Sequence, residues 1–373
     1  MILQISDRFT NRRVNFFTNV SIDLKYDAFA STFQLAYYFD PANKEHVEFS
    51  CVSHYHICTL LDDSGKRILT GYILSIDMDD SSTVTLVRIS GYSLPGVLED
   101  CDIAPTVPAQ FTRGLKNPLL PYALQFYNLT LKQLAENLVA PFGIKVVIHP
   151  SVATEMNTKY EETEAKENQN IKSFLSELAS QKNIIITHNE FGNLVFQRPS
   201  ARQKPVFAFT PETISNVKMR LSFNGQGVHS QITVMKQSSI EQDGIEEQET
   251  LYNPYVTTVF RPKVHKITQK STGPKDSNEA SVNLRAKELQ NLGLNIELDR
   301  WILNDRLLMP GQIITVTNPR VYLFKPTNWF IQAITLNEDK DKNTATMKCC
   351  IPEAITGEEP KYIFAGINRH PMA

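Results

Sequence analysis

The chain has 373 residues, 42% of them hydrophobic, with 38 basic and 40 acidic side chains and a formal net charge of −2. That length fits two or three domains, and that apolar share supports packed cores and excludes a disordered chain. The charge balance excludes a bulk basic surface for nucleic acid, and no 18 consecutive apolar residues are present to cross a membrane as a helix.

The opening MILQISDRFTNRR has no apolar core of signal-peptide length. Residues 1 to about 103 read as short strands. Phe33, Leu35, Tyr37 and Phe39 alternate with Gln34, Ala36 and Tyr38 up to Pro41; Val47 to Leu61 is β-rich; Arg67 to Ile76 and Thr83 to Ile89 flank a polar turn at Asp79–Ser82. Strands at this spacing predict a sandwich or barrel. Residues 104–127, with Pro105, Pro108, Pro118 and Pro121, read as a long connection.

The period then changes. Thr130-x-x-Gln133 is a capping box, and Leu131, Leu134, Ala135, Leu138 and Val139 mark one helix face, ended by Pro141 and Gly143. Ile144 to Ile148 follows as a strand, and Glu161 to Glu167 as a solvated acidic segment. Ile171, Phe174, Leu175, Leu178 and Ala179 predict a second helix, before strands at Ile184–Thr187 and Leu194–Gln197 around a turn at His188–Asn193. The two halves of 128–198 thus echo each other as helix then strand. Strands return over 206–236, and 237–250 and 271–278 read as loops. Asp276-x-x-Glu279 predicts a helix with Val282, Ala286, Leu289 and Leu292 on one face and Gly293 past its end. The segments 296–302, 312–317, 329–336 and 343–350 are β, with a charged turn at Asp339–Lys342 and an irregular tail over 352–373. The fold class is therefore α+β, mainly β.

Chemistry-bearing patterns are sparse. His54-x-His56-x-Cys58 places three zinc-type ligands on one strand face, but no further pair supplies a fourth and Cys51 faces the other way; ordinary strand positions are expected. Asp62-Asp63 and Asp77-x-Asp79-Asp80 read as turn carboxylates that bond their own backbone. Gly225-x-Gly227 reads as a loop, and no GxSxG, HExxH or GxxxxGK[ST] occurs. Cys51, Cys58, Cys101, Cys349 and Cys350 are an odd, irregularly spaced set, read as reduced thiols of a protein made in the cytosol; Cys349 and Cys350 would face opposite sides of a strand. Clusters such as Phe16-Phe17 and Tyr37-Tyr38-Phe39 suit packing and subunit contacts, or stacking on sugars. No catalytic, cofactor-binding or metal-binding residue is assigned, and no cofactor is expected.

Four ordered stretches resemble one family, the baseplate hub or "43 kDa tail protein" of Mu-like phages, related to late-control D proteins and the T-even hub. They are Arg67–Ile73 with Val87–Ser93 and Leu98–Asp100; Leu129–Thr130–Leu131 through Ala140-Pro141-Phe142-Gly143-Ile144; Phe174–Ala179 followed by Gly192-Asn193-Leu194-Val195-Phe196; and Ala286 through Asp299-x-Trp301 to Leu308-Met309-Pro310. Tyr92-Ser93 stands where the family has Arg-Asp, which puts a family ion pair there in question. The resemblance implies two tube-protein-like antiparallel β-barrels with inserted small α/β parts. The expected divisions are a first barrel over 1–103, completed by about 206–236; a linker over 104–127; an α/β segment over 128–200 joining a second barrel; a loop-rich region with one helix over 237–295; second-barrel strands over 296–351; and a tail over 352–373. It also implies a non-enzymatic virion part: a homotrimeric ring between tail tube protein and central spike, touching other baseplate proteins, with DNA passing unbound through its lumen. The near-neutral chain suits such a lumen. A receptor- or glycan-binding tail module and a tail-associated cell-wall hydrolase are the alternatives.

Overall fold

The computed structural model describes residues 1–6, 11–50, 56–80, 84–104, 124–182, 184–213, 216–236, 247–254, 256–267, 277–340, 342–358 and 363. They divide into two compact units, Met1–Arg198 with Thr335–Ala345, and Pro199–Ile334 with Thr346–Ala373.

The first unit opens with β1 (Ile2–Ser6), β2 (Asn11–Val14), β3 (Asn19–Lys25) and β4 (Thr32–Phe39). Then come α1 (Lys44–Phe49), β5 (Ile57–Leu61), β6 (Arg67–Asp79), β7 (Thr85–Ser93) and α2 (Val97–Asp100). The strands pair antiparallel in the order β3-β4-β7-β6-β5-β1-β2, with residues 335–339 beside β3. Period-two alternation decides which face is inside: Phe33, Leu35 and Tyr37 of β4 and Val87 and Ile89 of β7 are buried. Gly91 sits where three strands crowd, opposite Phe33 on β4 and Ile73 on β6. A Cβ there would run into the Tyr72 carbonyl oxygen and the Phe33 ring, so the glycine in Ser90-Gly91-Tyr92 is a packing requirement.

The expected β run from Val47 is in fact helical at first. Asn43 caps α1 by accepting from the Glu45 N–H at 2.9 Å, and Phe49 is buried at its end; a cap plus one buried aromatic outweighs local β propensity. Residues 51–55 lie outside the described residues, and β5 follows over Ile57–Leu61. Of the expected connection over 104–127, residues 105–123 lie outside the described residues, and Gln125 already begins a strand.

An α/β layer completes this unit: β8 (Gln125–Thr130), α3 (Leu131–Val139), β9 (Val146–Ile148), α4 (Ala153–Met156), β10 (Lys159–Glu164), α5 (Ile171–Ser180), β11 (Ile185–His188) and β12 (Leu194–Gln197). The capping box forms as read: Thr130 Oγ1 accepts from the Gln133 N–H at 3.1 Å, and Gln133 Oε1 from the Thr130 N–H at 3.0 Å. The acidic segment is partly a strand, β10 pairing with β8. The helix-then-strand echo also converges, because β9 and β11 flank β12 in one sheet. Leu131, Leu134, Leu175 and Leu178 share one buried cluster with Phe29, Leu98 and Ile103. That shared core puts 128–198 in the unit of the N-terminal strands, where a segment joining a second barrel was expected.

The second unit contains β13 (Phe207–Phe209), β14 (Lys218–Phe223), β15 (Gln231–Lys236), β16 (Glu247–Tyr252), β17 (Pro262–Ile267) and α6 (Ser277–Glu288). It continues with β18 (Leu292–Leu298), β19 (Ile302–Leu303), β20 (Arg306–Leu307), β21 (Ile313–Asn318), β22 (Leu323–Asp339), β23 (Asn343–Cys350) and α7 (Glu353–Thr356). Its larger sheet runs β14-β18-β23-β22-β21-β13, and β16-β15-β17 form a smaller one. Residues 206–236 therefore serve this unit. The strand that completes the N-terminal sheet comes from 335–339, where Thr335 Oγ1 donates to Asp23 at 2.5 Å and Ser21 Oγ to Asn337 at 2.8 Å. Cys349 and Cys350 are both buried, and burial pushes the Cys349 thiol well above its ordinary range. Asn304 and Asp305 both take positive φ in the β19–β20 hairpin, the signature of a primed turn.

Gly91→Ala is expected to cost roughly 2–3 kcal/mol, the scale of overpacking a filled core. Urea unfolding measures it; an unchanged midpoint would mean that the β6–β7 approach is not the constraint.

Candidate functional site

The chemistry-bearing residues are scattered and structurally employed. His54 and Cys51 lie outside the described residues. Cys58 is fully buried in β5, and burial pushes its thiol up to about 12; His56 precedes that strand, half-buried. Asp62 closes the β5–β6 turn, accepting from the Lys66 N–H at 2.8 Å and the Ser64 hydroxyl at 2.6 Å. Asp79 lies 3.7 Å from Arg88, and Asp80 accepts from the Thr85 hydroxyl at 2.8 Å. Among the described residues, no three His, Cys, Asp or Glu side chains converge as a metal set. The aromatic cluster is turned on itself: Phe16, Phe17, Tyr37 and Phe49 pack ring against ring, and the Tyr37 hydroxyl meets that of Ser50.

Two recesses stand out among the described residues. In the first unit, a groove of about 800 Å³ lies over the outward positions of β4 and β7, where Gln34, Ala36 and Tyr38 oppose Ser90, Arg88 and Leu86, with Lys340 and Lys342 at its rim. In the second unit, a pocket of about 420 Å³ is lined by Val228, Asn253, Arg261, Arg285, Glu288 and Leu292. Its ionisable groups hold a loop. Glu288, 4% exposed, accepts from His229 Nδ1 at 2.6 Å and from the His229 N–H at 3.2 Å. Arg285 and Asn253 donate to the His229 carbonyl at 3.3 and 3.1 Å. Arg261 donates to the Val228 and Gln226 carbonyls at 3.1 and 2.7 Å. Gly225–Gly227 is the 3-10 turn inside this clamp. These donors, committed to backbone carbonyls, hold the loop in place.

Side chains also tie the α/β layer to the N-terminal strands. Beside this seam, Tyr92 of β7 donates to Asp100 of α2 at 2.6 Å. Burial, then the Asp100 carboxylate, raises that phenol. Lys172 pairs with Glu99 at 2.9 Å, Asn170 Nδ2 donates to the Glu99 carbonyl at 2.9 Å, and the Ile171 N–H to the Cys101 carbonyl at 3.1 Å. His188 Nε2 meets the Ser31 hydroxyl at 2.8 Å, and Thr70 donates to the Glu190 carbonyl at 2.9 Å. Sequence reading passed over this latch, whose members sit far apart in the chain.

The latched layer coincides with a known sequence family. Residues 120–198 match the family described as baseplate hub protein gp44-like, second domain. The baseplate hub protein gp44 of Escherichia phage Mu is 22% identical over 285 residues, covering 74% of this chain and 70% of that protein. The 43 kDa tail protein of prophage MuSo2 from Shewanella oneidensis superposes with a TM-score of 0.74 at 19% identity, covering 95% of this chain and 99% of that one. The tail protein from Neisseria meningitidis MC58 gives 0.71 at 18% identity, with 96% and 98% covered. The resemblance to Mu-like 43 kDa tail proteins read from the sequence is thus borne out, and with it a mainly β, α+β fold. Two of its four stretches, on α3 and on α5 with β12, fall inside the gp44-like match.

His188 provides a pH test of the latch. Burial lowers its pKa from the ordinary 6.5, so the folded protein holds the ring neutral. The unfolded chain binds the proton more readily, so this contribution is complete above about pH 6.5 and is lost as pH falls through the depressed folded value. The melting temperature is expected to drop from about pH 7.5 to about pH 5, and His188→Gln to flatten that drop. An equal slope in both proteins would remove His188 from the latch.

Proposed function

We propose that this chain is the structural baseplate hub of a contractile phage tail, a homotrimeric ring that joins the tail tube to the central spike in the virion and lets DNA pass without binding it. The observation that carries this reading is the shared fold, which runs through nearly the whole of this chain and of a Mu-like 43 kDa tail protein, with the gp44-like domain in place between strands of the first unit. The relatives are named as tail and baseplate hub proteins. Side chains committed to turns, a loop clamp and a latch suit a part that bears load and has no reaction to perform. In this reading the chain is not an enzyme, and its working surfaces are heterologous contacts that close into a ring. Of the aromatics that motivate the glycan-binding alternative, Phe16, Phe17 and Tyr37 pack on one another, while Tyr38, 48% exposed, faces the groove of the first unit.

Co-expression with the tube and spike proteins of the same particle tests the proposal. Native mass spectrometry is expected to find three copies of this chain with the spike, and a turbidity assay to find no clearing of peptidoglycan. A chain that binds neither partner would overturn the hub reading. Clearing abolished by one carboxylate substitution would replace it with the hydrolase.

A further inference from the structure

The small sheet of the second unit has two unlike edges. β16, EQETLY, carries two carboxylates and no cation; β17, PKVHKI, carries two lysines and a histidine and no anion. They lie on opposite sides of β15, and among the described residues neither outer edge is paired. An open edge is a template for another strand. Natural proteins commonly blunt such edges with charged side chains, and here the charges on the two edges are opposite in sign.

Direction matters as much as charge. β16 runs antiparallel to β15 and β17 parallel to it. A second copy laid beside the first in the same orientation therefore brings its β17 antiparallel to the first copy's β16, the stronger pairing mode. Pairing β16 with β16 sets carboxylates against carboxylates, and β17 with β17 sets cations against cations. Head-to-tail contact is the arrangement that satisfies both edges, and it is the kind that closes into rings.

The faces agree too. Glu249 shares a row with Val234 and His265, and Lys263 shares one with Ile232 and Leu251, so Glu249 and Lys263 lie on one face of the sheet. Ile232 and Val234 are buried there against Leu284 of α6. On the other face, Tyr252 is 70% and Val264 64% exposed, one on each edge strand. Continuing the sheet into a second copy covers these apolar side chains while it pairs the charges.

We propose that the β16 edge of one copy adds to the β17 edge of the next, and that this strand addition is a subunit contact of the ring. The proposal rests on the ring-forming reading above. Sedimentation of the full-length chain tests it with Glu249→Lys, Lys263→Glu and the two combined. Each single change sets like charges across the contact and is expected to weaken self-association roughly five- to tenfold; the combined chain, with its edges exchanged, is expected to return to within about threefold of wild type. Far-UV circular dichroism checks that each variant is folded. Rings that survive both single changes unaltered, or a combined variant as weak as the singles, would overturn the edge pairing and leave the ring reading standing. A wild-type chain that stays monomeric to about 100 µM would count against both.

Discussion

Both units depend on one hairpin. Its first arm is a 17-residue strand, Leu323–Asp339, and its second is Asn343–Cys350. Residues 335–345 belong with the N-terminal strands, and the remainder of both arms with the second unit. The β3 edge thus waits for residues more than 300 positions away, where Thr335 and Asn337 meet Asp23 and Ser21. Such closure is slow and entropically costly, yet once made it removes an open edge from the sheet.

The α/β layer follows from the same economy. Its helices bury their apolar faces in a core shared with Phe29, Leu98 and Ile103, and the contacts around Glu99, Cys101, Asn170 and His188 fix its register against the strands. Within the first unit, the gp44-like stretch is therefore held to the N-terminal strands through buried apolar area plus short polar links. Tyr92 adds a polar link of its own, its hydroxyl donating to Asp100.

Local order was largely legible in the residues. The Thr130–Gln133 box, the leucine spacing of α3 and α5, and the alternation along β4 each state their own secondary structure, because the signals are short-range and strong. What escaped was non-local or locally ambiguous. Residues 206–236 look as able to complete the first sheet as 335–339 do, since a strand's partner leaves no trace in its own period. Val47 to Leu61 reads as β because propensity scales do not see Asn43 capping a turn of helix or Phe49 finding a buried seat. The Glu288 clamp draws on residues from 253 to 291 around a loop that in sequence is only Gly-x-Gly. The opposed charge of β16 and β17 is visible as composition, but its meaning requires knowing that β15 separates them.

The most direct measurement is a reconstruction of the tail particle that carries this chain. A closed ring of copies at the junction of tube and spike, with an open axial lumen, is the predicted result. Isolated copies on the particle's periphery, or absence from the finished tail, would contradict the hub.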